Sequence, residues 1–192
     1  MQKLFLTFLL PFQILKAEII WLLFGMRGLG NYIKKLNDPS NLLRYLGVKI
    51  GKGTLIYPGL IINCGHRKNF KLLTIGKHAR ILWDVIIDLD DQVLIGDYAH
   101  VGARSSIITH YSLGKTPLGK TEYPPEYGTV IIGKGVAIAW DCTLLHNTNI
   151  GEHTIIASRS VIKGEIPPFC VFGGNPSRAI KKIIPKNVED FR

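Results

Sequence analysis

The sequence predicts a mainly β chain wound as a β-helix of hexapeptide repeats with helical ends. Three observations carry this. Aliphatic residues recur at every sixth position through Ile132, Ile138, Leu144, Ile150 and Ile156. Small, polar and turn-forming residues, Gly133, Gly135 and Gly151 among them, fill most places between. The Ile-Gly pair at Ile132-Gly133 also returns 18 residues on, at Ile150-Gly151. An α-helix needs apolar residues at steps of three and four, and a half-buried strand alternates. Period six puts one inward aliphatic side chain on each flat face, and three such faces make a coil of 18 residues.

Taken in order, residues 1–46 form an apolar to amphipathic helical segment. Residues 4–24, LFLTFLLPFQILKAEIIWLLF, are interrupted by Pro11, Gln13, Lys16 and Glu18, too often for a spanning helix. A signal peptide would need a charged start and a small-residue cleavage site, which fits no better. From Phe12 the pattern suits an amphipathic helix, with Ile14, Leu15, Ile19, Leu22 and Leu23 apolar. Arg27, Lys34 and Lys35 follow, so two readings stand: peripheral contact of residues 4–24 with an anionic membrane, or packing on the solenoid or a second subunit. A second helix is expected near Asn41 to Leu46.

The coils occupy residues 47–172. Ile50-Gly51, Ile75-Gly76 and Ile95-Gly96 are separated from the next pair by 25, 20 and 37 residues, exceeding one coil by 7, 2 and 19. The first excess fits Asn63 to Asn69 and the second a disturbed corner at Asp88 to Gln92. The third fits an inserted loop at 111–129, which holds Pro117, Pro124 and Pro125 and cannot be a regular coil. Residues 173–192 are a basic tail expected to include a short helix.

Composition excludes several classes. The chain of 192 residues has 24 Lys and Arg against 14 Asp and Glu, a formal charge of +10 that calls for an anionic partner. Aromatics are not interleaved with basic residues, and no helix-turn-helix or zinc-finger spacing occurs, so nucleic acid is the least favoured such partner. Cys64, Cys142 and Cys170 form no CxxC pair, which points to a reducing compartment and away from thiolate-held zinc. With no Walker loop and no dinucleotide fingerprint, nucleotide hydrolysis and hydride transfer are disfavoured.

His110 stands where the last regular repeat before the long loop ends. An imidazole at a coil edge, beside a loop able to cover it, suits a general base near neutral pH. Asp84 falls one coil before Gly102 and is the first candidate for an accompanying carboxylate; Asp88, Asp90 and Asp91 are others.

From about Leu46 to Lys182 the chain resembles the hexapeptide-repeat acyltransferases, in its sugar O-acetyltransferase-like branch. The resemblance rests on the Ile-Gly repeats, on Val161-Ile162-Lys163-Gly164-Glu165-Ile166-Pro167-Pro168 leaving the last coil, and on Gly174-Asn175-Pro176-Ser177-Arg178. It implies a left-handed parallel β-helix, acetyl-CoA as acyl donor, no metal, and a homotrimer with sites between subunits. Ile108-Thr109-His110 matches the family's catalytic histidine, which deprotonates the acceptor hydroxyl. Asp84 matches a position often held by Asn, leaving its role open between ordering the acceptor and orienting His110.

Small residues where the cofactor approaches backbone amides are matched by Ala139, Ala157, Ser158 and Ser160, with Arg159 replacing a glycine. Lys163, Arg178 and Lys181, with Lys182, are candidates for the cofactor's phosphates. The implied function is acetyl transfer to a sugar hydroxyl in cell-surface polysaccharide or lipopolysaccharide biosynthesis, in the cytoplasm or at the inner membrane face. Direct transfer is favoured over an acyl-enzyme because no cysteine lies near His110 in sequence. Alternatives are a serine or amino-sugar acceptor, a non-catalytic scaffold, and a γ-carbonic-anhydrase-like metal protein. The last would use His146 as one zinc ligand, but Asp141 occupies the position of its paired histidine.

Overall fold

The computed structural model describes residues 2–63 and 69–184, with side chains described from residue 10 onward. Its body is a three-sided solenoid whose faces are stacks of short parallel strands. On the first face lie Lys49–Ile50, Leu73–Ile75, Val93–Ile95 and Val130–Ile132, followed by the second half of Thr143–Ile150 and then of Val161–Ile166. The second face stacks Leu55–Ile56, Arg80–Ile81, His100–Val101, Ala137–Ile138, Ile155–Ile156 and Cys170–Gly174. Ile61–Asn63, Ile86–Asp88, Ser106–Ile107 and the first halves of the two long strands make the third.

Register follows the sixfold phase. Ile81, Val101, Ile138 and Ile156 lie beside one another in successive coils of the second face. Ile62, Ile87, Ile107, Leu144 and Ile162 do the same on the third. All nine are buried, so the core is a column of aliphatic side chains filled coil by coil. Burying each such side chain contributes about 1.5–3 kcal/mol.

The corners decide what sits at the edges. Between the first and second faces the turn residue takes positive φ in every coil, at Gly53, His78, Tyr98, Gly135, His153 and Phe169. Between the second and third the same conformation falls on Gly59, Asp84, Arg104, Asp141 and Arg159. The third corner, where the chain returns to the first face, has no such uniform turn.

The N-terminal helix α1 (Gln2–Lys34) breaks at Gly25, whose φ of 58° and ψ of −155° only glycine adopts readily. Its second limb caps the first coil through Leu29 and Ile33, with help from Leu42 and Leu43 of α2 (Ser40–Tyr45). The first limb doubles back: the Lys16 ammonium lies 5.3 Å from the centre of the Tyr32 ring.

The C-terminal end departs from expectation. Ser177–Lys182 is not helical; it is a strand antiparallel to Cys170–Gly174. The last coil otherwise ends in a row of unpaired backbone groups, and this returning strand covers them. Residues 185–192, the rest of the expected tail, lie outside the described residues, as does most of the Asn63 to Asn69 insertion.

Candidate active site

Every irregularity in coil length collects at the third corner. The turn Asp88 to Gln92 and the excursion after His110 stand there, the extra sequence beyond Asn63 falls at the same point of the repeat, and the pairing of Thr143–Ile150 with Val161–Ile166 shifts register there between Leu144 and Thr148. Chains of different length cannot stack as uniform turns, so side chains at this corner meet as a network.

Thr109 organises it. Fully buried, its amide donates to Asp88 Oδ2 at 3.0 Å and its hydroxyl donates to the same oxygen at 2.7 Å. The hydroxyl oxygen accepts the amides of Asp90 and Asp91, each at 3.1 Å, and so fixes the acidic turn of the preceding coil. His110 Nδ1 then lies 2.7 Å from Asp88 Oδ2 and 3.2 Å from Asp90 Oδ2. Ionised carboxylates only accept, so Nδ1 carries the proton and Nε2 is left with its lone pair. Nε2 has no hydrogen-bond partner among the described residues, and the side chain is 34% exposed. The imidazole is held from behind and open in front.

The excursion forms a roof. His110 and Tyr111 pair antiparallel with Tyr127 and Glu126, and the Tyr127 ring stacks on that of His110 with centroids 6.0 Å apart. The Gly128 amide donates to the Thr109 carbonyl at 2.8 Å, and Thr129 Oγ1 donates to Asp91 Oδ1 at 3.3 Å. Between the two short strands, α3 (Pro117–Thr121) is capped by the Thr116 hydroxyl, which accepts from the Gly119 amide.

One coil further, His146 points inward at the same corner and is almost wholly buried. Its Nε2 lies 2.9 Å from Glu126 Oε2 and 3.1 Å from Lys163 Nζ, while Nδ1 is buried without a partner. With no acceptor for an Nδ1 proton, the neutral ring carries its hydrogen on Nε2 and donates it to Glu126. Glu126 thereby ties the roof strand to the solenoid, with the Lys163 ammonium 3.9 Å from the same carboxylate oxygen.

The structure redistributes the residues singled out in sequence. His110 is at the network's centre. Asp84 is not: it is an exposed turn residue at the second corner, about four strand residues or ~13 Å from Asp88. Asp88 and Asp90 are the carboxylates that meet His110. Sequence spacing listed both but could not tell which corner each would occupy.

Ala139, Ala157 and Ser158 do share one corner over the last coils, and Arg178 joins them opposite Gly173. Ser160 leaves the set, because it is fully buried, donates to the Ala157 carbonyl at 2.6 Å and accepts from the Gly174 amide at 2.9 Å. Lys163 leaves it as well, standing at the third corner with His146. Lys181 lies opposite Val171, farther along the second face.

The zinc pair is not assembled either. Asp141 is a second-corner turn residue held by two 2.8 Å bonds from Arg104, whose guanidinium also lies 5.3 Å from the centre of the Trp140 ring. These bonds hold the Asp141 carboxyl below its ordinary range. His146, at the far end of the next strand, is engaged by Glu126. Asp88, Asp90 and His110 do bring three ligand atoms within 4.8 Å of one another, a set able to hold a divalent cation. The oxygen Asp88 would offer already receives two donors from Thr109.

Glu126 and Tyr127 gave no signal in sequence, because both lay in the loop set aside as irregular. Thr109 stood in the motif before His110, but no role of its own could be read for it.

No protein-family model matches the chain. Among curated proteins it is 29% identical over 119 residues to WbbJ of Escherichia coli K12, named for O-acetyl transfer in lipopolysaccharide biosynthesis; the match covers 50% of this chain and 61% of that one. It is 26% identical over 149 residues to WcaF of the same organism, named as a colanic acid biosynthesis acetyltransferase, covering 73% and 72%. The chain thus spans less than two thirds of the first of these relatives. Among solved structures, a hexapeptide-repeat acetyltransferase from Vibrio cholerae complexed with acetyl-CoA superposes with a TM-score of 0.68 at 20% identity, covering 92% of this chain and 88% of that one.

Proposed function

We propose that this chain, which has the left-handed parallel β-helix of the hexapeptide-repeat acyltransferases, transfers an acetyl group from acetyl-CoA to a sugar hydroxyl. The observation that carries the reading is His110, with Nδ1 fixed by two carboxylates and Nε2 free. In that state Nε2 accepts the proton of an acceptor hydroxyl as its oxygen attacks the thioester carbonyl. The C–O bond forms, the tetrahedral oxyanion collapses, and the C–S bond breaks. The coenzyme thiolate leaves, and the imidazolium returns the proton to it. Asp88 and Asp90 stabilise the transient positive charge and keep the ring from turning.

The donor is assigned to the small-residue corner of Ala139, Ala157 and Ser158, with Arg178 and Lys181 toward its phosphates. Within one chain this corner and His110 lie on different edges of the solenoid. A homotrimer, in which the corner of one subunit faces the His110 edge of the next, brings them together. The names of WbbJ and WcaF favour a sugar of a cell-surface polysaccharide or lipopolysaccharide precursor as acceptor, modified at the inner face of the membrane. Cys142 and Cys170 are buried and Cys64 lies outside the described residues, so direct transfer rather than an acyl-enzyme is proposed on the separation of the cysteines from His110 in sequence.

Calorimetric titration with acetyl-CoA, followed by thiol release in the presence of a panel of sugars, tests the reading. Saturable binding with acceptor-dependent thiol release supports it. Failure to bind the donor overturns it.

A further inference from the structure

The doubling back of α1 leaves one of its faces uncovered. At the ~100° per residue of an α-helix, Phe12, Leu15, Ile19, Leu22 and Leu23 fall within an arc of about 100°. Ile14, Ala17 and Trp21 lie on the opposite side and turn toward the protein. The five outward residues are 47–82% exposed, and Phe24 beside the break is 67% exposed. This is a continuous stripe of large aliphatic and aromatic side chains, not scattered surface residues. In sequence the stripe continues upstream as LFLTFLL over residues 4–10.

The charge around the stripe says what covers it. Lys16 borders it, Arg27 follows the break, and Lys34, Lys35 and Arg44 are exposed on the limb and helix beneath. Over residues 10–44 these five cations face two carboxylates, Glu18 and Asp38. Glu18 is half-buried and engaged by a partner, and Asp38 accepts the Ser40 amide. A second copy of the same face would set cations against cations. A bilayer with anionic headgroups offers hydrocarbon to the stripe and opposite charge to its border.

We infer that the first limb of α1 lies flat in the surface of an anionic phospholipid bilayer, with Phe12, Leu15, Ile19, Leu22 and Leu23 in the acyl boundary. No helix among the described residues is long and apolar enough to cross a membrane. The inference is independent of the acetyl-transfer reading, since vesicle binding is measured without donor or acceptor.

The test is sedimentation of the full-length protein with phosphatidylcholine vesicles and with vesicles containing about a third phosphatidylglycerol. Binding to the anionic vesicles is expected to exceed binding to the neutral ones by about tenfold or more and to weaken as salt rises. The combined substitution Leu15→Gln, Ile19→Gln, Leu22→Gln is expected to lower it by a further factor of about ten or more. Leu22→Gln alone, at the most exposed position, and Arg27→Glu serve if the triple variant does not fold; each lowers binding. Three results overturn the inference: no sedimentation of the unaltered protein with anionic vesicles, undiminished binding by the variants, or a changed oligomeric mass of the folded variants in light scattering without lipid. The last would make the stripe a subunit contact.

Discussion

Asp88 and His110, 22 residues apart in sequence, meet through a 2.7 Å contact between Oδ2 and Nδ1 because Asp88 ends its strand of the third face and His110 follows shortly after Ser106–Ile107, the strand stacked beside it in the next coil. If that contact sets the proton on Nδ1, removing either partner changes the chemistry and leaves the solenoid standing. His110→Ala is expected to lower turnover by roughly a hundredfold or more with acetyl-CoA affinity unchanged. Asp88→Asn, which keeps an acceptor for Thr109, is expected to lower it by roughly ten- to a hundredfold. Asp84→Asn should stay within about twofold of the unaltered rate. Steady-state kinetics with parallel calorimetry separates these outcomes, and an Asp84 effect as large as that of Asp88 would reverse the assignment.

The bond from His146 to Glu126 fastens the roof over His110. Glu126 is more than half exposed, so its loss should cost little global stability. Glu126→Ala is expected to make the 111–129 segment cleave faster in limited proteolysis and to reduce kcat/KM several-fold, with the melting temperature nearly unchanged. Equal cleavage rates would show that the short strand pairing alone holds the roof.

His100 supplies a pH dependence of stability. Burial, with Arg80 adding to it, holds its pKa below the ordinary 6.5. The unfolded chain then binds the proton first, so stability is greatest above about pH 6.5 and falls as pH drops from there through the lowered folded value. Urea unfolding at pH 7.5 and 5.5 should show the loss, and His100→Gln should shrink it. An unchanged difference would place the effect elsewhere.

Cys142 is expected to be chemically quiet. Burial raises its thiol above the ordinary range, the backbone bonds from Ser160 and Arg159 offset only part of this, and the sulfur donates to the Ala157 carbonyl at 3.1 Å. Alkylation at pH 8 followed by peptide mass spectrometry should leave Cys142 unmodified in the folded protein and modified after unfolding. Rapid labelling in the folded state would contradict the burial.

Gly135 combines two constraints, a φ of 65° and the His153 ring where a Cβ would stand. Gly135→Ala is expected to cost about 1–3 kcal/mol. Thermal unfolding measures it, and a loss well below this range would mean that the ring moves freely aside.

The coils were legible because period six is a property of each residue and its near neighbours: Ile81, Val101, Ile138 and Ile156 announce one face without reference to anything distant. Excess lengths of 7, 2 and 19 residues likewise located the departures from the solenoid. Asp84 was preferred over Asp88 because counting by coils finds equivalent corners but not which corner faces His110. That distinction depends on Thr109 folding inward and drawing the Asp88 carboxylate with it. The tie between Glu126 and His146 was hidden because it joins an irregular loop to a later coil, and no periodicity links them. Lys163 and Ser160 were misplaced for a similar reason: a basic or small residue looks the same whether it serves a ligand or a corner. The final strand was missed because its only cause is the open edge it covers.

At the third corner the solenoid absorbs 7, 2 and 19 extra residues without shifting the register of the faces on either side. Length there is uncoupled from folding. That edge is a socket in which the segment between His110 and Val130 can be exchanged for one of different length and composition, while Asp88 and His110 stay where the neighbouring strands and Thr109 put them. Acceptor preference could therefore diverge among such chains by replacement of this one segment, with the proton-transfer pair inherited intact, and grafted loops offer a direct route to altered acceptors on an unaltered frame.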